Sequence, residues 1–233
     1  MNLRERSYKK ELLDADNIPF ADIKRNMEEL DFINTWLGGH VITIKGFKQL
    51  LGNRTAITVC EIGCGGGDNL AAIAKYCRKK NVRLHCIGID IKKECIGVAE
   101  NNKHLQNIAE WVTSDYRLAA FKTKPDIIFS SLFCHHFTED ELAGQLQWMY
   151  ENCSVGFFIN DLQRHWLAYQ SIKTLTAGFS RSYLVKNDAP LSVARGFTKA
   201  ELTSLLKTSN IPSYNITWQW AFRFLITCTH EQQ

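Results

Sequence analysis

The sequence predicts a doubly wound α/β domain with helices ahead of the first strand and a helical insertion before the last two of seven strands. Three observations carry that prediction. From Ala56 onward, short β-branched apolar runs alternate with stretches of helical periodicity. The first run ends in a bend of four glycines, VCEIGCGGGDN from Val59 to Asn69. Acids close the second and third runs, at Asp90 and Asp115. A chain of 233 residues, 45% hydrophobic and 11% aromatic with four prolines, is long enough to bury one sizeable core and too apolar for extended disorder.

The elements follow in order. Residues 1–16 are charged throughout and lack the apolar centre of a signal peptide, and no later run reaches the ~18 apolar residues of a membrane span, so a cytoplasmic protein is expected. Ile23, Met27, Leu30, Ile33 and Leu37 recur at helical spacing up to Gly38 and Gly39. Val41, Ile44, Phe47, Leu50 and Leu51 outline a second helix that Gly52 caps, and both helices are expected to pack on or over the core. Together they make residues 1–54 an N-terminal helical cap ahead of a main domain over 55–233.

AITVCEIG reads as a strand buried on both faces, and Leu70, Ile73, Ala74 and Cys77 as one face of the helix after the glycines. RLHCIGID is a second buried strand, which closes a βαβ unit of about 30 residues. A helix in KKECIGVAENNKHL, strands in AEWVTSD, PDIIFSSLF and VGFFIND, and strand-like runs YNITWQW and FRFLITCTH complete the pattern. Thr138 with Glu141 and Thr198 with Glu201 have the spacing of capping boxes, each opening a helix.

Composition narrows the chemistry. Eight cysteines sit in apolar segments without an export signal, which predicts buried free thiols. Cys60 and Cys64 lack the second ligand pair a zinc site needs, so no metal is expected. The net charge of +4 is too mild to imply nucleic acid, but it is uneven: residues 1–54 carry +1, 55–161 carry −2 and 162–233 carry +5. The basic last third predicts either a solvated surface or attraction of an acidic substrate.

Ligands of doubly wound sheets bind at the carboxyl ends of the strands, where glycine lets a ligand approach the backbone. The bend reads Glu61, Gly63, Gly65, Gly67, and the third glycine of a dinucleotide fingerprint would fall on Asp68. Two acids in the bend disfavour a pyrophosphate and favour a cationic ligand.

ExGxGxG with Asp90 and Asp115 at successive strand ends resembles the class I S-adenosylmethionine-dependent methyltransferases, from Thr58 to the end of the chain. The resemblance implies their Rossmann-like sheet, S-adenosylmethionine as cofactor and S-adenosylhomocysteine as product. It places Gly63, Gly65 and Gly67 along the methionine portion, Glu61 beneath the loop, Asp90 on the ribose hydroxyls with Ile91 next to it, Asp115 on the adenine amine with Tyr116 beside it, and Ser131 at the end of strand four. The strings FSSLFCHHF, NDLQRHWLAY and NDAPLSVARGFTKAEL look like bacterial small-molecule methyltransferases of polyketide or quinone type. With the helix string IKRNMEELDFINTWLGGH, which shares the likeness, they place the substrate surface in the N-terminal helices and residues 161–195, and the long insertion before the last two strands is the candidate lid, at about 162–197.

Methyl transfer needs alignment and a dry site, and needs a base only where the acceptor loses a proton. His135 and His136 after strand four and His165 after strand five are the candidate bases. Arg164, Tyr183 and Arg195 are the candidate substrate contacts, and a salt bridge is the alternative for Arg164. SSLF in place of an NPPY-type string disfavours methylation of DNA bases or protein amides, and the missing acid after strand four disfavours a magnesium-dependent catechol type. The expected acceptor is an oxygen or carbon of a small aromatic or polyketide-like molecule, handled by a monomer or homodimer without membrane or nucleic acid. Alternatives are an RNA methyltransferase, a non-catalytic protein of the same fold, and a nicotinamide oxidoreductase.

Overall fold

The computed structural model describes residues 2–230. Seven strands form one sheet: β1 Ala56–Ile62, β2 Arg83–Asp90, β3 Ala109–Thr113, β4 Ile127–Ser131, β5 Gly156–Leu162, β6 Tyr214–Gln219 and β7 Arg223–Thr229. Their order across the sheet is β3-β2-β1-β4-β5-β7-β6. The first five are parallel, and β7 runs antiparallel to both β5 and β6. The order reverses at β1, so the carboxyl ends of β1, β2 and β4 diverge and leave a crevice there.

Eight α-helices surround the sheet: α1 Phe20–Trp36, α2 Gly39–Leu51, α3 Asp68–Lys80, α4 Lys93–Glu100, α5 Glu139–Asn152, α6 Trp166–Phe179, α7 Tyr183–Arg195 and α8 Lys199–Thr208. β1, β4 and β5 are buried on both faces, which explains their unbroken apolar runs. One core layer holds Phe47, Leu70, Phe129 and Phe158 under α2 and α3, and the other holds Leu146, Met149, Phe157, Leu206 and Ile226 under α5 and α8. Phe129 and Phe158 stack with centroids 4.7 Å apart on neighbouring strands. α2 approaches the sheet closely at Gly46, where a Cβ would lie 2.6 Å from the Phe158 ring.

Both capping boxes are present, at Thr138 with Glu141 and at Thr198 with Glu201. The eight cysteines are free and buried. Two expectations change. The helix expected through Leu105 ends at Glu100, where Asn101 and Asn102, weak helix formers, turn the chain. More importantly, the packing of α1 on the core is only partial: Met27, Leu30, Ile33 and Leu37, on a helix also expected to present the substrate surface, line a cavity, and among the α1 residues only Ile23, Asn26 and Asn34 are buried. Among the described residues no helix is long and apolar enough to cross a membrane.

Candidate functional site

A cavity of about 860 Å³ opens over the carboxyl ends of β1, β2 and β4. Its first end is the glycine bend. Gly63, Gly65 and Gly67 have φ of +65°, +50° and +73°, values that L side chains rarely adopt. A Cβ on Gly63 would lie 2.2 Å from the Phe133 ring. Gly67 stands behind the cavity wall, where a Cβ would meet Trp111 at 2.8 Å; it turns the chain into α3 and does not line the space.

Three acids sit around the bend. Glu61 is 1% exposed; its Oε1 accepts from Asn69 Nδ2 at 3.1 Å, while Oε2 has no partner among the described residues. Burial, reinforced by Asp68 and Asp90, pushes the Glu61 carboxyl well above the usual range. Asp90 accepts from the backbone N–H of Gly65 and of Lys92, each at 2.9 Å, which ties the bend to the end of β2. Asp68, at the start of α3, accepts from Asn34 Nδ2 at 3.2 Å and lies 2.8 Å from His40 Nε2. Burial alone would raise its pKa, but the His40 hydrogen bond and charge outweigh that and hold it down.

Asp115 lines the cavity, with its carboxylate held by Arg117 Nε at 3.0 and 3.1 Å. Tyr116 is buried in a ring cluster with Phe133, Phe137 and Trp148. Ile91 is exposed at the rim, and Ser131 is buried and accepts from Asn160 Nδ2 at 3.3 Å.

The second end is assembled by charge. The turn Cys134–His136 follows β4. His135, 2% exposed, places Nδ1 2.8 Å from Asp161 and Nε2 3.5 Å from Glu11. Burial would lower its pKa, but the two carboxylates outweigh it and raise it to about 9, so this imidazole is a fixed cation at neutral pH. Burial pushes Asp161 and Glu11 up, and His135 draws both below the usual carboxylate range. His136 is 21% exposed on its side chain, faces the cavity, and lies 3.3 Å from Asp14 and 3.7 Å from Glu11.

Arg195 donates to the carbonyls of His135 at 3.0 Å, His136 at 2.7 Å and Lys9 at 2.7 Å. The chain ahead of α1 is thereby drawn over the turn. Arg6 donates to the carbonyls of Arg195 and Phe137, and Asp188 of α7 accepts from the N–H of Leu12 and Leu13. Between the two ends the walls are apolar: Met27, Leu30, Ile33 and Leu37 from α1 face Ala168, Ile172 and Leu175 from α6.

Besides Gly67, three predicted residues stand outside the cavity lining. Arg164 is buried under Glu201, to which it is bonded at 2.6 and 3.0 Å, and it also donates to the carbonyls of Gly196 and Leu3. It is the salt bridge of the two readings. His165 caps α6 by accepting from Leu167 N–H at 3.2 Å and stacks on Phe222. Tyr183, half exposed, stands beside Asp22 on the outer surface.

Sequence reasoning missed Glu11, Asp14, Asn26, Asn34 and Arg223, all lining the cavity. Only Arg223 left a signal, as a lone cation in the apolar run FRFLITC. Two groups of donor atoms lie within 4.8 Å of one another, Glu11–His135–His136 and Asp31–His40–Asp68. Cysteine spacing could not reveal either. In both, His–carboxylate pairs already satisfy part of the set.

Residues 59–156 match the methyltransferase domain family. No curated protein matches the sequence. Among solved structures, the chain is similar to the plantazolicin methyltransferase BpumL in complex with S-adenosylhomocysteine, at 18% identity and a TM-score of 0.67, covering 94% of this chain and 91% of that one. It is also similar to human N-acetylserotonin methyltransferase in complex with S-adenosylmethionine, at 13% identity and a TM-score of 0.64, covering 92% of this chain and 57% of that one. A candidate O-methyltransferase from Nostoc punctiforme PCC 73102 has a TM-score of 0.61 at 13% identity, with 88% of this chain covered; the chain spans 60% of that protein's length. At these identities the likeness shows the fold.

Proposed function

We propose that this chain, which carries a class I S-adenosylmethionine-dependent methyltransferase domain in residues 59–156, transfers a methyl group to an oxygen or carbon of a small aromatic or polyketide-like acceptor. The observation that carries the reading is one continuous cavity in which a glycine-and-acid socket meets an apolar chamber.

The socket fits a cationic adenosyl ligand. Gly63 and Gly65 bring backbone to its surface, Asp90 keeps acceptor capacity beyond its two N–H bonds, and Glu61 Oε2 is buried beneath the bend without a hydrogen-bond partner among the described residues. In this reading Glu61, Gly63, Gly65, Asp90, Ile91, Asp115, Tyr116 and Ser131 hold the cofactor, with Gly67 acting through the shape of the bend. When bound, S-adenosylmethionine supplies an electrophilic methyl carbon on a sulfonium. The chain's own task is then alignment and exclusion of water, which α1, α6 and α7 perform as a lid over the chamber.

A hydroxyl acceptor has to lose a proton. The burial of His135 between Asp161 and Glu11, and the place of His165 at the start of α6 outside the cavity lining, favour neither as that base. His136 faces the cavity and is the residue to which that proton passes, with Asp14 and Glu11 beside the ring that gains charge. The basic excess of the last third, which suggested RNA, is partly internal, because Arg164, Arg195 and Arg223 are buried. That favours the small-molecule reading.

Calorimetric titration with S-adenosylhomocysteine tests the proposal: saturable binding is expected, and no heat above background at high ligand would overturn it. His136→Asn should retain that binding while slowing turnover of a phenolic acceptor by about 10²-fold or more.

A further inference from the structure

We infer that Arg223 is a carboxylate anchor inside the cavity. It opens β7 opposite Leu162 of β5 and is 3% exposed. Nη2 donates to Asn34 Oδ1 at 2.9 Å, whereas Nη1 has no hydrogen-bond partner among the described residues. No carboxylate lies within ion-pair distance of this guanidinium among the described residues. Asp161 and Asp68 act on it only through space, and each is already engaged, Asp161 with His135 and Asp68 with His40 and Asn34.

Burial lowers the Arg223 pKa to about 10, so the side chain remains a cation at neutral pH. A buried cation without an anion is costly, and a guanidinium offers five N–H donors in a planar fork suited to a carboxylate. Gly39 leaves room for the guanidinium and its Asn34 partner: a Cβ there would lie 2.8 Å from Asn34 Oδ1 and 3.0 Å from Arg223 Nη1. Asp68 and Asp161 nearby disfavour a dianion, which selects a monoanionic carboxylate over a phosphate.

Two sources present that group in a methyltransferase, the reading on which this inference rests: the amino-acid end of the cofactor, or a carboxylate on the acceptor. Binding of S-adenosylhomocysteine, of 5′-methylthioadenosine, which lacks the amino-acid end, and of 2-naphthoate and 2-naphthol to the S-adenosylhomocysteine-loaded protein separates them. If the cofactor is the source, Arg223→Met weakens S-adenosylhomocysteine at least about tenfold and spares 5′-methylthioadenosine, with Arg223→Lys intermediate. If the acceptor is the source, S-adenosylhomocysteine is spared and 2-naphthoate, but not 2-naphthol, is weakened by the same factor.

The anchor is overturned if Arg223→Met leaves both carboxylate ligands within about twofold of wild type, or weakens 5′-methylthioadenosine and 2-naphthol equally with them. Wild type that binds 2-naphthoate in an Arg223-dependent way without binding either adenosyl ligand overturns the methyltransferase reading and supports the anchor. Wild type that binds none of the four overturns both.

Discussion

The two ends of the cavity are built in opposite ways. At the glycine end, residues 61–69 and the ends of β2 and β3 present backbone in fixed conformations, and most partners lie within one βαβ unit. At the histidine end, side chains from the segment ahead of α1, the turn after β4, the end of β5 and the α7 helix meet through ion pairs and hydrogen bonds, and the pairs of Glu11 with His135 and His136 join residues more than a hundred positions apart. The first construction suits a ligand that does not change. The second can be altered one charge at a time without disturbing the first, as suits the side of an enzyme that selects its acceptor.

If the ends are independent, the largest effect belongs to Asp90→Ala, which removes an acceptor for two backbone N–H groups and, in the proposed function, for the ribose. Affinity for S-adenosylhomocysteine should fall by about 100-fold or more, while Glu11→Gln stays within about threefold. Comparable losses in calorimetry for both variants would show that the ends are one unit.

The next effect concerns the histidine end alone. The His135 pKa is raised in the folded state, so its stabilisation is fully present below about pH 6.5, the unfolded value, and is lost as pH rises through about 9. Stability from urea denaturation should therefore drop by up to about 3 kcal/mol between neutral pH and pH values beyond that transition, and His135→Gln should flatten the profile. Superimposable profiles for the two proteins would contradict the charged ring.

The smallest effect sharpens the boundary between the ends. Thr138 accepts from Glu141 N–H at 3.4 Å and caps α5 just beyond the histidine turn. Thr138→Ala should cost about 1 kcal/mol in stability with no change in S-adenosylhomocysteine affinity. A change in affinity would mean that the cap positions the socket.

The contrast also explains what could be read from the sequence. β2 was legible because Cys86 to Ile89, buried on both faces, write a short apolar run that ends at Asp90, and the caps at Thr138 and Thr198 were legible because their partners lie three residues away. The apolar stripe of α1 was legible as a stripe, but periodicity says which face is apolar and not what lies against it, so Met27 and Leu30 could be read for the core or for the substrate surface. Arg164 and His165 carried the right chemistry in the wrong direction, since only the fold turns Arg164 onto Glu201. Glu11 and Asp14 looked like any solvated acids until tertiary contacts brought them to His136.

The hydrogen bond from Ser7 N–H to the Ala194 carbonyl and that from Arg6 Nε to the Arg195 carbonyl join the start of the chain to residues nearly two hundred positions later. During synthesis residues 6 and 7 leave the ribosome before α7 and cannot make these two bonds until it has followed them. The glycine bend can form with its own βαβ unit long before then. A nascent chain of this protein would thus carry a shaped bend well before it has an acceptor chamber, and long-range closure of that chamber is a late event in its folding.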